Sequence, residues 1–343
     1  MQYNRLGNSG LQVPQLTFGT ATFGSWSYGT TSADQARELV SQCLDAGITL
    51  FDSADNYGAG EALEILGSAI SGRRDQVLIS SKLGLPTSAS ATGFGASRSY
   101  VLSALDLTLQ RLQTDHLDLL SLHTFDAGTP LEETAAVLGH LVESGRVRYL
   151  GASNFGAWQL MKALKVQDEL RVPRFVSQQA YYSLVGRDFE FDLMEVGADQ
   201  GVGTLVWSPL SGGWLSGTIR RGQPPAPGGR IDRMGAVGPP VEQEFLFTVM
   251  DVLDAIADET GKTVPQIAIN WLLQRPTVCS VVVGADDAAQ LESNLGAVGW
   301  ELTSEQVGRL DEASNTYTPY PNYLYHRDPG FKELAPPLLP RPR

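Results

Sequence analysis

The chain has 343 residues, of which 42% are apolar and 18% charged, a balance that buries a sizeable core and excludes disordered, collagen-like and disulfide-stapled classes. Asp and Glu number 38 against 25 Lys and Arg, a formal net charge of -13. Such a field repels phosphate backbones and anionic lipid, so neither nucleic acid nor a membrane is an expected partner. The length suits two domains or one α/β barrel with insertions.

Residues 3–6 and 13–16 flank the turn Gly7-Asn8-Ser9-Gly10 and read as a short hairpin. Short apolar runs then alternate with helix-like stretches, and eight of them read as strands: 16–20, 49–52, 77–81, 117–123, 149–153, 175–179, 203–208 and 278–283. Between them, a helix over 32–46 has Ser32 as its cap, and one over 131–144 stops at Gly145. Strand and helix repeated eight times demand parallel strands with right-handed crossovers, and eight such strands close naturally on themselves. The expected fold is a (β/α)8 TIM barrel with an N-terminal hairpin. The rival, an open doubly wound sheet, calls for GxGxxG after its first strand. Phe18-Gly19-Thr20-Ala21-Thr22-Phe23-Gly24 has neither that spacing nor a helix onset.

Residues 212–240 follow the seventh strand, are rich in Gly and Pro, and read as a long loop over the barrel mouth. The expected organisation is a barrel over 1–315 and a Pro- and Tyr-rich tail over 316–343, with Tyr320, Tyr323, Tyr325 and Phe331 folding back over a neighbouring surface. Cys43 and Cys279 lie in apolar stretches without metal or redox spacing and read as small core residues. Residues 1–10 hold no apolar run of the signal-peptide kind, and no segment approaches the roughly 18 apolar residues of a membrane span. A cytoplasmic location follows as the expectation.

Reactive groups of a barrel enzyme sit at the carboxyl ends of its strands. Asp52 ends the second strand, Tyr57 follows five residues later, Lys82 ends the third and His123 the fourth. A phenol with a pKa near 10 is a reluctant proton donor at neutral pH. An ammonium about 4 Å away attracts the phenolate by roughly 4 kcal/mol at an effective dielectric near 20, enough to lower the pKa by about 3 before phenolate desolvation is subtracted. Tyr57 then serves as general acid, Asp52 keeps Lys82 charged, and His123 orients the substrate oxygen. Singly, each residue reads better as a cap, a rim residue, a solvated strand end or a core histidine. Their joint placement at three successive strand ends is what points to chemistry. His116 and His140 lack the spacing to join His123 as metal ligands, and no metal is expected.

Phe51-Asp52-Ser53-Ala54 with Tyr57-Gly58, Ser81-Lys82, Asp118-Leu119-Leu120 leading to His123, and the run from Gly145 through Gly151-Ala152-Ser153-Asn154-Phe155 together resemble the aldo-keto reductase superfamily over about residues 3–312. Tyr181-Tyr182-Ser183-Leu184 and Thr263-Val264-Pro265-Gln266 are similar to its potassium-channel-β-like and bacterial sugar or ketone reductase branch. The resemblance implies a catalytic tetrad of Asp52, Tyr57, Lys82 and His123, a nicotinamide dinucleotide across the barrel mouth, and reduction of an aldehyde or ketone. It implies cofactor contacts from Thr20, from Ser153, Asn154 and Gln179 at the carboxamide, and from Trp207 stacked on the nicotinamide. Ser208, Pro209, Leu210, Ser211 and Gly213 then follow the pyrophosphate, and Gly284, Asp286, Gln290 and Asn294 the adenosine. Aromatic residues after the strands, Phe23, Trp26, Tyr28, Phe94 and Phe125, are the expected substrate walls.

The family default of NADP(H) meets a departure here. Thr218, Asp286 and Asp287 stand where NADPH-preferring members often carry cations, and carboxylates repel a 2′-phosphate. NAD(H) or dual use is therefore expected, with Arg220 and Arg221 as the nearby cations. The other reading of the two aspartates is as helix caps facing solvent. Two alternatives to a reductase are a nucleotide-sensing regulatory protein like a channel β-subunit and a Schiff-base aldolase on Lys82. The second conflicts with Asp52, which raises the lysine pKa. A homo-oligomer is compatible with the sequence.

Overall fold

The computed structural model describes residues 1–87, 93–222, 231, 240–327 and 329–334. Strands β1 (Tyr3–Arg5) and β2 (Gln12–Pro14) pair antiparallel as the hairpin. Eight parallel strands follow: β3 (Leu16–Gly19), β4 (Leu50–Asp52), β5 (Leu78–Leu83), β6 (Leu117–Leu122), β7 (Val147–Ser153), β8 (Phe175–Tyr181), β9 (Gly203–Trp207) and β10 (Val278–Val283). They close in the order β10-β3-β4-β5-β6-β7-β8-β9, so chain neighbours are sheet neighbours around the whole ring. The expected barrel is the observed one.

Helices α1 (Ala33–Asp45), α2 (Glu61–Ala69), α3 (Arg98–Leu112), α4 (Leu131–Glu143), α5 (Ala157–Leu170) and α6 (Leu193–Gln200) each follow a barrel strand. After β9 come α7 (Gln243–Thr260) and α8 (Val264–Leu273), and after β10 come α9 (Ala288–Leu295) and α10 (Ser304–Ala313). Local chemistry starts and stops them. Ser32 Oγ accepts from the Gln35 amide at 3.3 Å while Gln35 Oε1 accepts from the Ser32 amide at 2.9 Å, a reciprocal cap on α1. Gly145, at φ +76°, turns the chain after α4.

Side chains two residues apart share one face of a strand. Leu50, Leu119 and Leu205 gather with Leu6, Leu11 and Val13 of the hairpin segment, which plugs the amino-terminal end of the barrel. Two steps beyond Leu50 lies Asp52, and four steps beyond Leu78 and Leu119 lie Lys82 and His123. The alternation that buries leucines at one end therefore delivers polar groups to the other. The intervening positions, among them Phe51, Ile79, Leu120 and Leu150, join Leu39, Leu66, Leu105 and Leu141 of the helices in the main core, where each fully buried leucine contributes roughly 1.5–3 kcal/mol.

Element ends shift modestly. Leu16 belongs to β3, and the hairpin ends at Pro14. β5 runs to Leu83, so Lys82 lies within a strand, paired with Ser121 of β6. A charged residue breaks the apolar pattern in sequence, but parallel neighbours keep the backbone extended. Cys43 and Cys279 are both free and buried. Most of the 212–240 loop lies outside the described residues, as does the end of the tail. The described tail forms α11 (Asn322–Arg327) and α12 (Pro329–Leu334), and Asn322 Nδ2 donates to the Phe191 carbonyl just before α6 at 2.6 Å. Among the described residues no helix is long and apolar enough to cross a membrane.

Candidate active site

Asp52, Lys82 and His123 come from β4, β5 and the end of β6, and Tyr57 from the loop after β4. Lys82 Nζ donates to Asp52 Oδ2 at 2.5 Å and to the Ser53 carbonyl at 2.7 Å. The same nitrogen lies 5.2 Å from the centroid of the Tyr57 ring. His123 meets that ring edge-on, with centroids 6.1 Å apart, and Trp26 stacks on Tyr57 at 5.7 Å. Asp52 Oδ1 accepts from Ser80 Oγ at 2.9 Å and from Gln179 Nε2 at 3.0 Å, which satisfies the carboxylate on both oxygens.

Burial works against charge on Lys82, but the Asp52 carboxylate and the Tyr57 phenol outweigh it and hold the ammonium above its ordinary range. Burial, and secondarily the Lys82 charge, push His123 down to about 3, so the imidazole is neutral at physiological pH. Its Nδ1 is buried without a hydrogen-bond partner. For Tyr57 the balance differs from the sequence expectation. Burial raises the phenol, Lys82 lowers it, Asp52 raises it again, and the net direction is upward. The main reason is the burial of the phenol, which disfavours the phenolate; the Asp52 carboxylate, 2.5 Å from the ammonium, also offsets part of the field that reaches it.

The tetrad lies on a cleft of about 880 Å³. At the adjoining loops the chain is strained: Asn154, Ser208 and Ser211 have φ of +54°, +54° and +49°, conformations that cost on the order of 1–3 kcal/mol each for non-glycine residues and cluster at functional sites. The turn directs Asn154 Nδ2 to the His123 carbonyl (3.0 Å) while its Oδ1 accepts from Trp207 Nε1 (3.0 Å). Ser153, Asn154, Gln179, Trp207, Ser208, Pro209, Leu210 and Gly213 line the cleft, as do Gly284, Asp286, Gln290 and Asn294 at its far end. Trp26 and Tyr28 line it beside Tyr57, and so does Ile231 of the long loop.

Five expected contacts lie elsewhere. Thr20 is fully buried and its hydroxyl donates to the Asp52 carbonyl at 3.2 Å. Ser211 is fully buried against the Tyr181 hydroxyl at 2.8 Å. Phe23 packs into the core against Phe18, because its loop turns back where the Phe23 amide bonds the Thr20 carbonyl. Phe125 stacks edge-on against Phe155 and beside Trp158, and Phe94 is half exposed. Sequence reasoning missed Ser80, although its position two residues before Lys82 on the same strand face was the available signal. It also missed Asn56 and Leu85, which line the cleft.

The model of the aldo/keto reductase family matches residues 15–315. The chain belongs to the aldo/keto reductase family. Two relatives, both L-glyceraldehyde 3-phosphate reductases from Escherichia coli O157:H7 and K12, are each 32% identical over 325 residues, covering 91% of this chain and 92% of the relative. A probable voltage-gated potassium channel subunit beta from Arabidopsis thaliana is 32% identical over 306 residues, covering 87% and 91%.

Aldo/keto reductases typically take NAD(P)H. Ser153, Asn154 and Gln179 offer the donors and acceptors a carboxamide needs. Gly212 and Gly213, at φ +65° and +113°, let the backbone come close to a pyrophosphate. At the far end Asp287 caps α9, its Oδ1 accepting from the Gln290 amide at 2.9 Å, while Asn294 Nδ2 donates to the Gly284 carbonyl at 3.0 Å. Thr218 and Asp286 line the cleft there. Arg220 is bound to Asp254 at 2.7 Å, and Arg221 pairs with Glu244 and Asp251.

Proposed function

We propose that the chain reduces an uncharged aldehyde or ketone, sugar-like or cyclic, to the alcohol, with Tyr57 as general acid. The single observation that carries this reading is the Lys82 ammonium held between the Asp52 carboxylate (2.5 Å) and the Tyr57 ring (5.2 Å) on a cleft of dinucleotide size. A nicotinamide dinucleotide, when bound, supplies the hydride. Tyr57 gives its proton to the carbonyl oxygen as negative charge develops there, which suits a phenol held above its ordinary pKa, since an alkoxide is a far stronger base. Neutral His123 donates an N–H to the same oxygen and fixes its direction. Lys82 stabilises the phenolate left behind, and Asp52, fixed by Ser80 and Gln179, keeps Lys82 in place. Trp26, stacked over the Tyr57 ring, keeps water from the proton being transferred.

The relatives named for a phosphorylated aldehyde do not lend this chain their substrate. Among the described residues lining the cleft, Lys82 is the only Lys or Arg, and Asp52 occupies it. The cofactor reading is NAD(H), or weak discrimination between the two nucleotides, because Thr218 and Asp286 line the cleft while Arg220 and Arg221 are engaged by carboxylates. The raised Lys82 argues against a Schiff-base role, which needs a neutral amine. The test is loss of NADH or NADPH absorbance with a panel of neutral aldehydes and ketones. Turnover supports the proposal. Tight nucleotide binding without turnover overturns it in favour of a nucleotide-sensing regulatory protein, the alternative reading of the sequence.

A further inference from the structure

The loop between Asp52 and Tyr57 is held to β5 at two points by one residue. Lys82 Nζ donates to the Ser53 carbonyl at 2.7 Å, and the Lys82 carbonyl accepts from the Asp55 amide at 3.0 Å. A third tie comes from outside the barrel ring. Asp55 Oδ2 accepts from the hydroxyl of Tyr100, on the first turn of α3, at 2.8 Å. Both side chains are buried, at 3% and 6% exposure, and the other carboxylate oxygen, Oδ1, is buried without a hydrogen-bond partner.

A half-satisfied buried carboxylate is costly. Burial raises the Asp55 pKa to about 6, opposed by the Tyr100 hydrogen bond, by neighbouring amides of Asn56 and Gly84, and by the Lys82 charge. Tyr100 and Lys82 are the titratable side chains that bear on it. At neutral pH the group is thus mostly ionised at the expense of stability. Its cost is explained if the charge is needed where it stands, two residues before the general acid.

We propose that Asp55 is a positioning residue: its carboxylate, anchored by Tyr100, sets where the loop holds the Tyr57 hydroxyl relative to Lys82. The inference rests on the reading of Tyr57 as general acid. Asp55 itself is not among the described residues that line the cleft. It acts by making the path from Asp52 to Tyr57 a fixed distance, through a charged acceptor that grips the Tyr100 hydroxyl more firmly than a neutral one does. When Asp55 takes up a proton that grip weakens, and the loop is freer to let the phenol drift from the reacting oxygen.

The test compares wild type with Asp55→Asn, Tyr100→Phe and the pair, by kinetics and by thermal unfolding across pH. Each single variant is expected to lose about 10- to 100-fold in kcat, the scale of a small misplacement at a reacting centre, and the pair to lose no more than the worse single. Wild-type kcat is expected to show an acid limb near pH 6 that is absent from Asp55→Asn and displaced upward in Tyr100→Phe, which loses a donor to the carboxylate. Stability moves the other way. A folded-state pKa raised above that of the unfolded chain favours the folded state at low pH and loses that contribution as pH rises through about 6. Asp55→Asn therefore has a Tm at or above that of wild type at neutral pH, and its advantage vanishes in acid. Parallel loss of kcat and Tm would mark a merely structural side chain and overturn the proposal, as would wild-type kcat with an unchanged acid limb in Asp55→Asn. A wild-type protein that reduces no carbonyl on the panel sinks the reductase reading itself and this inference with it; an active wild type matched by its variants sinks only the inference.

Discussion

Replacing Lys82 by Met separates the electrostatic role of the lysine from its packing. Lys82 and Asp52 have side-chain exposures of 1% and 4%, so removing the ammonium leaves a buried carboxylate whose remaining partners are Ser80 Oγ at 2.9 Å and Gln179 Nε2 at 3.0 Å. Breaking a buried pair in this way costs about 3–5 kcal/mol. With an unfolding entropy of about 2.1 cal/mol/K per residue, a chain of 343 residues then loses about 4–7 °C in Tm. The double variant Asp52→Asn with Lys82→Met removes the orphaned charge and recovers most of that loss. Activity follows a different pattern: both variants lose about 10² or more in kcat, since neither stabilises the Tyr57 phenolate. Calorimetry at several pH values and a carbonyl-reduction assay read the two effects separately. A single variant as stable as the double at neutral pH would refute the account of the pair, and near-normal turnover in either would refute the role assigned to the ammonium.

Tyr57→Phe keeps the ring under Trp26 and is expected to lose about 10² or more in kcat while nucleotide affinity, measured by fluorescence titration, stays within about twofold. Carbonyl reduction should hold level from about pH 7 to 9, because the phenol stays protonated, whereas alcohol oxidation, which needs the phenolate, should rise over the same range. His123, at about 3, contributes no inflection near its ordinary pKa of about 6.5. The ratio of kcat/KM for NADPH over NADH should stay below about tenfold, or about 1.4 kcal/mol, and Thr218→Lys should raise it; a stronger native preference for NADPH would reject the role given to the acidic far end of the cleft.

What could be read from the sequence was whatever depends on neighbours along the chain. Apolar runs alternating with helix-like stretches placed Asp52, Lys82 and His123 at the carboxyl ends of successive strands, and the absence of a glycine fingerprint after Phe18 argued against the open sheet. The Ser32 cap and the stop at Gly145 needed only local hydrogen bonding. Tertiary structure decided whatever depends on residues far apart. Gln179 reaches Asp52 across 127 positions and Asp55 meets Tyr100 across 45, and no spacing rule announces either bond. Phe23 was expected to form a wall of the cleft, but the turn at Thr20 sends it into the core. The direction of the Tyr57 pKa belongs to the same class. Its sign depends on how much solvent the phenol loses and how fully Asp52 neutralises Lys82, and both are properties of the closed barrel that a string of residues does not carry.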